Sequence, residues 1–338
     1  MVKYMKIRNI GKYIHWISST NTNYANDCKI SKKYASICRR FSWAMLLKKS
    51  QNQIDKIASE KNEWVLNYVA ERIPDTLEKY NNYPIPNNIN DPQDKICVWS
   101  MFWQGEENAP ELFKMCIDSA RRHTHQDVIV LSESNYNQYI QIPEYMVNKY
   151  REGKLIVQHI CDYIVVAILA THGGYFTGAT VWNSQDIPEE ILKAPFFTPA
   201  AKTDSPFFMS RSRWTGYVLG GNKEFPLFQF AMDALKEYWM NNDIAVDYLM
   251  LDYIFELACR TIPCVNETVN NLPDNNVLRN ELIGILSEPY DKERFKKYTE
   301  GETFLYKLSW KFGKKDKLTA DGKETIYGHM VNECEDRI

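Results

Sequence analysis

The chain has 338 residues, 44% hydrophobic and 13% aromatic, enough for one large or two modest cores and far from the composition of a disordered chain. Lys and Arg number 41 against 43 Asp and Glu, and the net charge of −2 argues against a generally basic, nucleic-acid-binding protein. The charge is uneven: residues 1–56 hold twelve basic groups against Asp27 and Asp55, a balance of +10, which leaves −12 for the remainder.

No apolar run follows Lys3 and Lys6, so the start does not read as a secretory signal. Residues 31–49 place Tyr34, Ile37, Cys38, Phe41 and Met45 at helical spacing, with Lys32, Arg39 and Arg40 opposite. This basic amphipathic helix has two readings. One is attachment to an anionic cytoplasmic leaflet, each basic group adding about 1 kcal/mol; the other is packing on the main domain with a solvated basic face. Residues 51–80 continue as polar helix, and the Pro/Asn-rich stretch 83–92 reads as a linker. The expected division is therefore a basic helical extension over 1–90 and a main domain over 91–338.

Residues 95–103 suit a buried strand, 110–123 a helix and 127–133 a second buried strand, an order that predicts a Rossmann-like sheet. Residues 163–185 contain no Asp, Glu, Lys or Arg, but His172-Gly173-Gly174 interrupts them. A buried helix over 155–171, ended by the glycine pair and followed by a strand over 175–182, fits better than a membrane span. Short strands are expected at 196–199, 207–210 and 217–220, then helices at 226–242 and 247–261 and near 277–286 and 291–298. Eight cysteines, with no CxxC pair and no histidine cluster at metal spacing, read as buried thiols of a reducing compartment.

Open α/β sheets bind ligands beyond the carboxyl ends of their strands, and three loops qualify. At Trp103-Gln104-Gly105 an indole can stack on a base, or Trp103 is a core residue. Asp162 sits in an otherwise apolar helix before Gly173 and Gly174 and needs a partner, either a ligand or a structural hydrogen bond. Beyond Gly220-Gly221-Asn222 lies the helix with Asp247, suited to an N-cap, and Asp252, which is embedded among apolar residues as either a functional or a buried structural acid.

The segment ICVWSMFWQGEENAPELFKMCIDSARRH resembles the opening of the capsular polysaccharide synthesis glycosyltransferases. The likeness continues in order through DVIVLSESNYNQYIQIP, HICDYIVVAILATHGGYFTGATVW, WTGYVLGGNKEFPLFQF, DYLMLDYIFELA, FLYKLSWK and GKETIYG, over about residues 90–330. This group is related to family 32-type glycosyltransferases, so the resemblance implies a GT-A-type mixed α/β sheet flanked by helices, with a helical C-terminal half. It also implies a nucleotide-sugar donor, a divalent metal (Mn²⁺ or Mg²⁺) and retention of configuration. Trp103 and Gln104 would line the nucleotide pocket and Asp162 would bind sugar hydroxyls. Gly173, Gly174 and Asn222 would border the donor, Thr180 would stand in the diphosphate loop, and Asp252 would lie near the reacting sugar.

Two positions depart from the family pattern. Gly178 stands where the metal-binding aspartate is usual, and Val165 where an arginine is usual. Without the carboxylate, metal affinity should fall. Three routes remain: a metal held by the diphosphate with Asp186 or Asp252, metal-free catalysis using Arg211, Arg213 or Lys223, or a non-catalytic module that binds glycan or nucleotide or scaffolds a capsule-assembly complex. The expected activity is transfer of a hexose to a lipid-linked oligosaccharide by a cytoplasmic enzyme peripheral to the inner face of the membrane. Trp103, Asp162 and the Gly-Gly turn are expected to border one crevice.

Overall fold

The computed structural model describes residues 29–86, 88–89, 91–93, 96–311 and 315–335. Lys3, Lys6, Arg8, Lys12, Asp27 and Cys28 of the basic arm lie outside the described residues. Ser31 caps α1 (Lys32–Leu46), its hydroxyl accepting the Lys33 N–H at 3.2 Å. A capping box between Ser50 and Gln53 opens α2 (Gln51–Ala70). The predicted continuous helix then breaks, because Pro74 suits only a first turn, and restarts as α3 (Pro74–Asn81).

The apolar face of α1 turns inward. The Tyr34 ring stacks on Trp64 at 4.4 Å, its hydroxyl donates to the Val246 carbonyl at 2.9 Å, and Phe41 meets Phe207 at 5.4 Å. Tyr34, Val65, Leu66 and Tyr80 belong to the same buried cluster as Trp99, Phe228 and Tyr253, so these first helices share the main core.

From there the chain runs β1 (Val98–Met101), α4 (Glu111–Thr124), β2 (Val128–Leu131), α5 (Glu144–Arg151), α6 (Val157–His172), β3 (Gly174–Thr177), β4 (Val181–Asn183), α7 (Glu189–Leu192) and β5 (Phe196–Phe197). It continues through β6 (Val218–Gly221), α8 (Pro226–Asn241), α9 (Met250–Thr261), α10 (Pro263–Asn271), α11 (Lys292–Thr299), β7 (Leu305–Lys307) and α12 (Ile326–Glu335). Five strands form one sheet in the order β2-β1-β3-β6-β5. β1 is parallel to β2 and β3, whereas β6 is antiparallel to β3 and β5. Helices cover it, as the near-continuous apolar strands require. This is the mixed α/β, GT-A-like sheet that the resemblance implies.

Three elements differ from expectation. The strand over 175–182 is two: the chain turns at Gly178, whose carbonyl accepts the Val181 N–H at 2.8 Å, and β4 leaves to pair with β7. Residues 207–210 turn, leading into left-handed Arg211 and Ser212, and do not pair as a strand. Within 277–286 only a 3-10 turn at Leu282–Gly284 forms, and Val277 is exposed.

The sheet's direction positions everything that follows. Parallel β1, β2 and β3 end together at Met101, Leu131 and Thr177. β6 runs the other way, pairing Thr177 with Val218 and Gly174 with Gly221, so its end lies at the opposite edge. Among the described residues no helix is long and apolar enough to cross a membrane. Of the described cysteines, Cys116, Cys259 and Cys334 are buried.

Candidate active site

The β1 ladder pairs Trp99 with Phe176, so β1 and β3 run side by side toward their ends at Met101 and Thr177. The loops after β1 and β3 therefore share one edge. Trp103, just past β1, is 8% exposed; its indole N–H donates to the Tyr150 hydroxyl at 2.9 Å and its ring stacks on Tyr136 at 5.9 Å. It is a packed wall residue, and Gln104 beside it is exposed.

α6 ends at the amino end of β3 and packs along that strand, which brings its early turns toward the carboxyl edge. There Asp162 accepts the Gln158 amide at 2.8 Å, and Gln158 in turn accepts the Tyr248 hydroxyl at 3.2 Å. Asp252, in the first turn of α9, accepts the Trp214 indole N–H at 2.9 Å. Burial pushes its carboxyl up to about 7, and the negative charges of Asp162 and Asp247 push the same way against the Trp214 hydrogen bond and Arg213. The two acids thus face one another electrostatically across α6 and α9, and Asp252 keeps part of its surface open to solvent.

Asp247 is committed elsewhere: it pairs with Lys61 and accepts the Leu249 N–H at 2.8 Å, while Leu249 itself holds the cap position of α9. Arg213 pairs with Glu256 at 2.5 Å and lies 4.5 Å from the Trp214 ring, holding that tryptophan over Asp252. Arg211 is exposed.

Three residues after Trp214, the Tyr217 carbonyl accepts the Gly178 N–H at 2.7 Å. Chain reach puts the Trp214 and Tyr217 Cα atoms within about 11 Å, so a short stretch of chain links the Asp252 contact to the Gly178 turn. A Cβ built on Gly178 would stand 3.2 Å from the Tyr217 carbonyl oxygen, leaving little room for an aspartate. The neighbouring Thr180 hydroxyl accepts the Lys307 ammonium at 2.5 Å. A divalent cation does not fit this turn: it finds a glycine and an ammonium group where its carboxylates would be needed, and the described residues contain no group of three or more His, Cys, Asp or Glu suited to a metal.

Four candidates lie away from this edge. Gly173 and Gly174 begin β3, with left-handed φ of 67° and 109°. The Gly173 carbonyl accepts the Trp99 indole N–H at 3.0 Å, and the Gly174 N–H donates to the Gln93 side chain at 2.5 Å. Asn222 follows β6 at that same far edge, where its side chain caps the turn into α8 by accepting the Glu224 N–H at 3.0 Å; Lys223 beside it is exposed. Asp186, bound to His123 at 2.9 Å and His125 at 3.0 Å, sits at the carboxyl end of α4, which leads into the amino end of β2. The Gly-Gly turn therefore sets the start of β3, at the edge opposite the loops that follow β1 and β3.

Sequence reasoning missed Trp214, Tyr217, Arg279 and Lys307. Lys307 carried a signal, a lysine inside the apolar strand FLYKL. A hollow of about 470 Å³ lined by Tyr139, Tyr163, Thr171 and Lys236 contains none of the candidate residues and offers no acid pair.

A family model described as capsular polysaccharide synthesis protein matches residues 45–330, from within α1 to within α12. No curated protein and no solved structure matches the chain. With the ordered blocks and the sheet topology agreeing over this span, the chain belongs to the capsular polysaccharide synthesis protein family.

Proposed function

We propose that the chain is a glycosyltransferase that moves a hexose from a nucleotide-sugar donor to a lipid-linked oligosaccharide during capsular polysaccharide synthesis. The observation that carries this reading is the pair of electrostatically coupled acids Asp162 and Asp252 on α6 and α9, with Trp214 fixing one of the two. Paired carboxylates of unequal basicity suit hydroxyl recognition on a sugar and stabilisation of positive charge at its anomeric carbon. In the transfer the bond from that carbon to the diphosphate oxygen breaks, and its electron pair leaves on the phosphate. An acceptor hydroxyl forms the new bond on the same face and gives its proton to the departing oxygen.

Membrane proximity is part of the proposal and rests on α1. Its inward face is already used, but Trp43, Leu46 and Leu47 are exposed at its end beside exposed Lys48 and Lys49. Apolar side chains rimmed by lysines suit the anionic inner face of the plasma membrane, where a lipid-linked acceptor is displayed.

A screen of nucleotide sugars for donor hydrolysis and transfer, with and without Mn²⁺, tests the reading. Asp252→Asn is expected to lower turnover by about a hundredfold or more with no loss of melting temperature; wild-type turnover would remove Asp252 from the site. Gly178 and Val165, which replace polar residues of the family pattern, favour the second reading, a non-catalytic module that binds glycan or nucleotide. Wild-type protein silent toward every donor would decide for it.

A further inference from the structure

We propose that Lys307 and Arg279 form a metal-free anion site for the donor diphosphate, standing where the family pattern puts an aspartate and its cation. The identity of the anion rests on the transferase reading; the site itself stands on the geometry.

The β4–β7 ladder pairs Lys307 with Val181, and the Leu308 N–H donates to the Thr180 carbonyl at 2.8 Å, so Lys307 lies beside the Gly178 turn. The Lys307 N–H donates to the Arg279 carbonyl at 2.7 Å, which ties the two basic residues together. Their side chains converge on Tyr217: the ammonium lies 5.5 Å from its ring, and the positive charge of the Arg279 guanidinium favours its phenolate against the effect of burial.

Neither cation has a carboxylate within ion-pair distance among the described residues. The ammonium donates only to the Thr180 hydroxyl and the Leu308 carbonyl. Its titratable neighbour, Cys116, is kept a neutral thiol by burial. Arg279 is 5% exposed, donates to the Asn276 carbonyl at 3.3 Å, and leaves its Nε without a partner. Buried cations without counter-charge are costly, and burial depresses the Lys307 ammonium accordingly. An arriving anion removes that cost. Gly178, Thr180, Tyr217 and Lys307 are all half-buried, so the cluster borders solvent and can receive one. A lysine–arginine pair with a hydroxyl beside it is a donor set that suits a diphosphate.

Calorimetric titration of the full chain with inorganic pyrophosphate in EDTA tests the site. Binding is expected without metal and unchanged by Mn²⁺. Lys307→Met is expected to weaken it about ten- to a hundredfold. The same variant should melt no lower than wild type, since a purely structural lysine would be missed and an uncompensated one would not. Lys307→Arg, which keeps the charge, should restore binding to within a few-fold. Binding that requires Mn²⁺, or that Lys307→Met leaves intact, overturns the proposal. Pyrophosphate held through Lys307 by a protein that turns over no donor would uphold the site and sink the transferase reading; turnover strictly dependent on Mn²⁺ would do the reverse.

Discussion

Asp252 carries a pH signature that can be read without any substrate. Its carboxyl ordinarily titrates near 3.8 and here near 7, so between about pH 4 and 7 the folded chain binds more protons than the unfolded one. Stability is therefore lost as pH rises through that window, by up to about 4 kcal/mol from this group. Asp252→Asn is expected to flatten the dependence, melting higher than wild type at pH 7.5 and by a smaller margin at pH 4.5. Parallel profiles for the two proteins would place the carboxyl in an ordinary environment. Asp162 and Asp252 were legible in the sequence as acids in need of a partner, because a lone acid within an apolar run is costly unless something answers it. Trp214, which answers Asp252, was not, since it lies 38 residues away and only the fold brings it there. Arg213 reads as a free charge in sequence but is tied to Glu256, whereas Arg279 and Lys307 have no carboxylate partner among the described residues.

At the scale of elements, the Gly-Gly turn had a structural meaning that sequence could not separate from a ligand-binding one. A Cβ at Gly174 would meet the Cys97 carbonyl oxygen at 2.4 Å and the Trp99 Nε1 at 2.7 Å, on a backbone with φ of 109°. Gly174→Ala is thus expected to cost about 1–3 kcal/mol in denaturant titration; a neutral effect would mean that β1 and β3 need not approach so closely. The α1 helix was legible from its period, and its reading as a helix packed on the main domain describes its inward face. Its apolar stripe packs inward, while Trp43, Leu46 and Leu47 remain outside. Each large apolar side chain entering a bilayer contributes about 1.5–3 kcal/mol. Trp43→Ser combined with Leu47→Ser is expected to weaken binding to vesicles containing anionic lipid at least about tenfold, and undiminished flotation would exclude this tip as the anchor.

For the whole molecule, strand order and direction decide which residues can meet. The alternation of apolar runs and helices made the mixed sheet legible. The reversal of β6 was not, because nothing in VLGG distinguishes an antiparallel strand from a parallel one. That reversal sends Asn222 to the edge where Gly173 and Gly174 lie, and brings Trp214 and Tyr217 to the edge of Gly178. The proposed site has an acidic end at Asp162 and Asp252 and a basic end at Lys307 and Arg279, linked through residues 214–217. A sugar diphosphate has the matching polarity, hydroxyls at one end and two phosphates at the other.

A crystal structure of the protein with a non-hydrolysable nucleotide sugar, grown without divalent metal, tests this arrangement most directly. The account expects the sugar hydroxyls against Asp162 and Asp252 and the diphosphate against Lys307 and Thr180. A ligand seated instead at Gly173, Gly174 and Asn222, or in the hollow beside Tyr139 and Lys236, would contradict it.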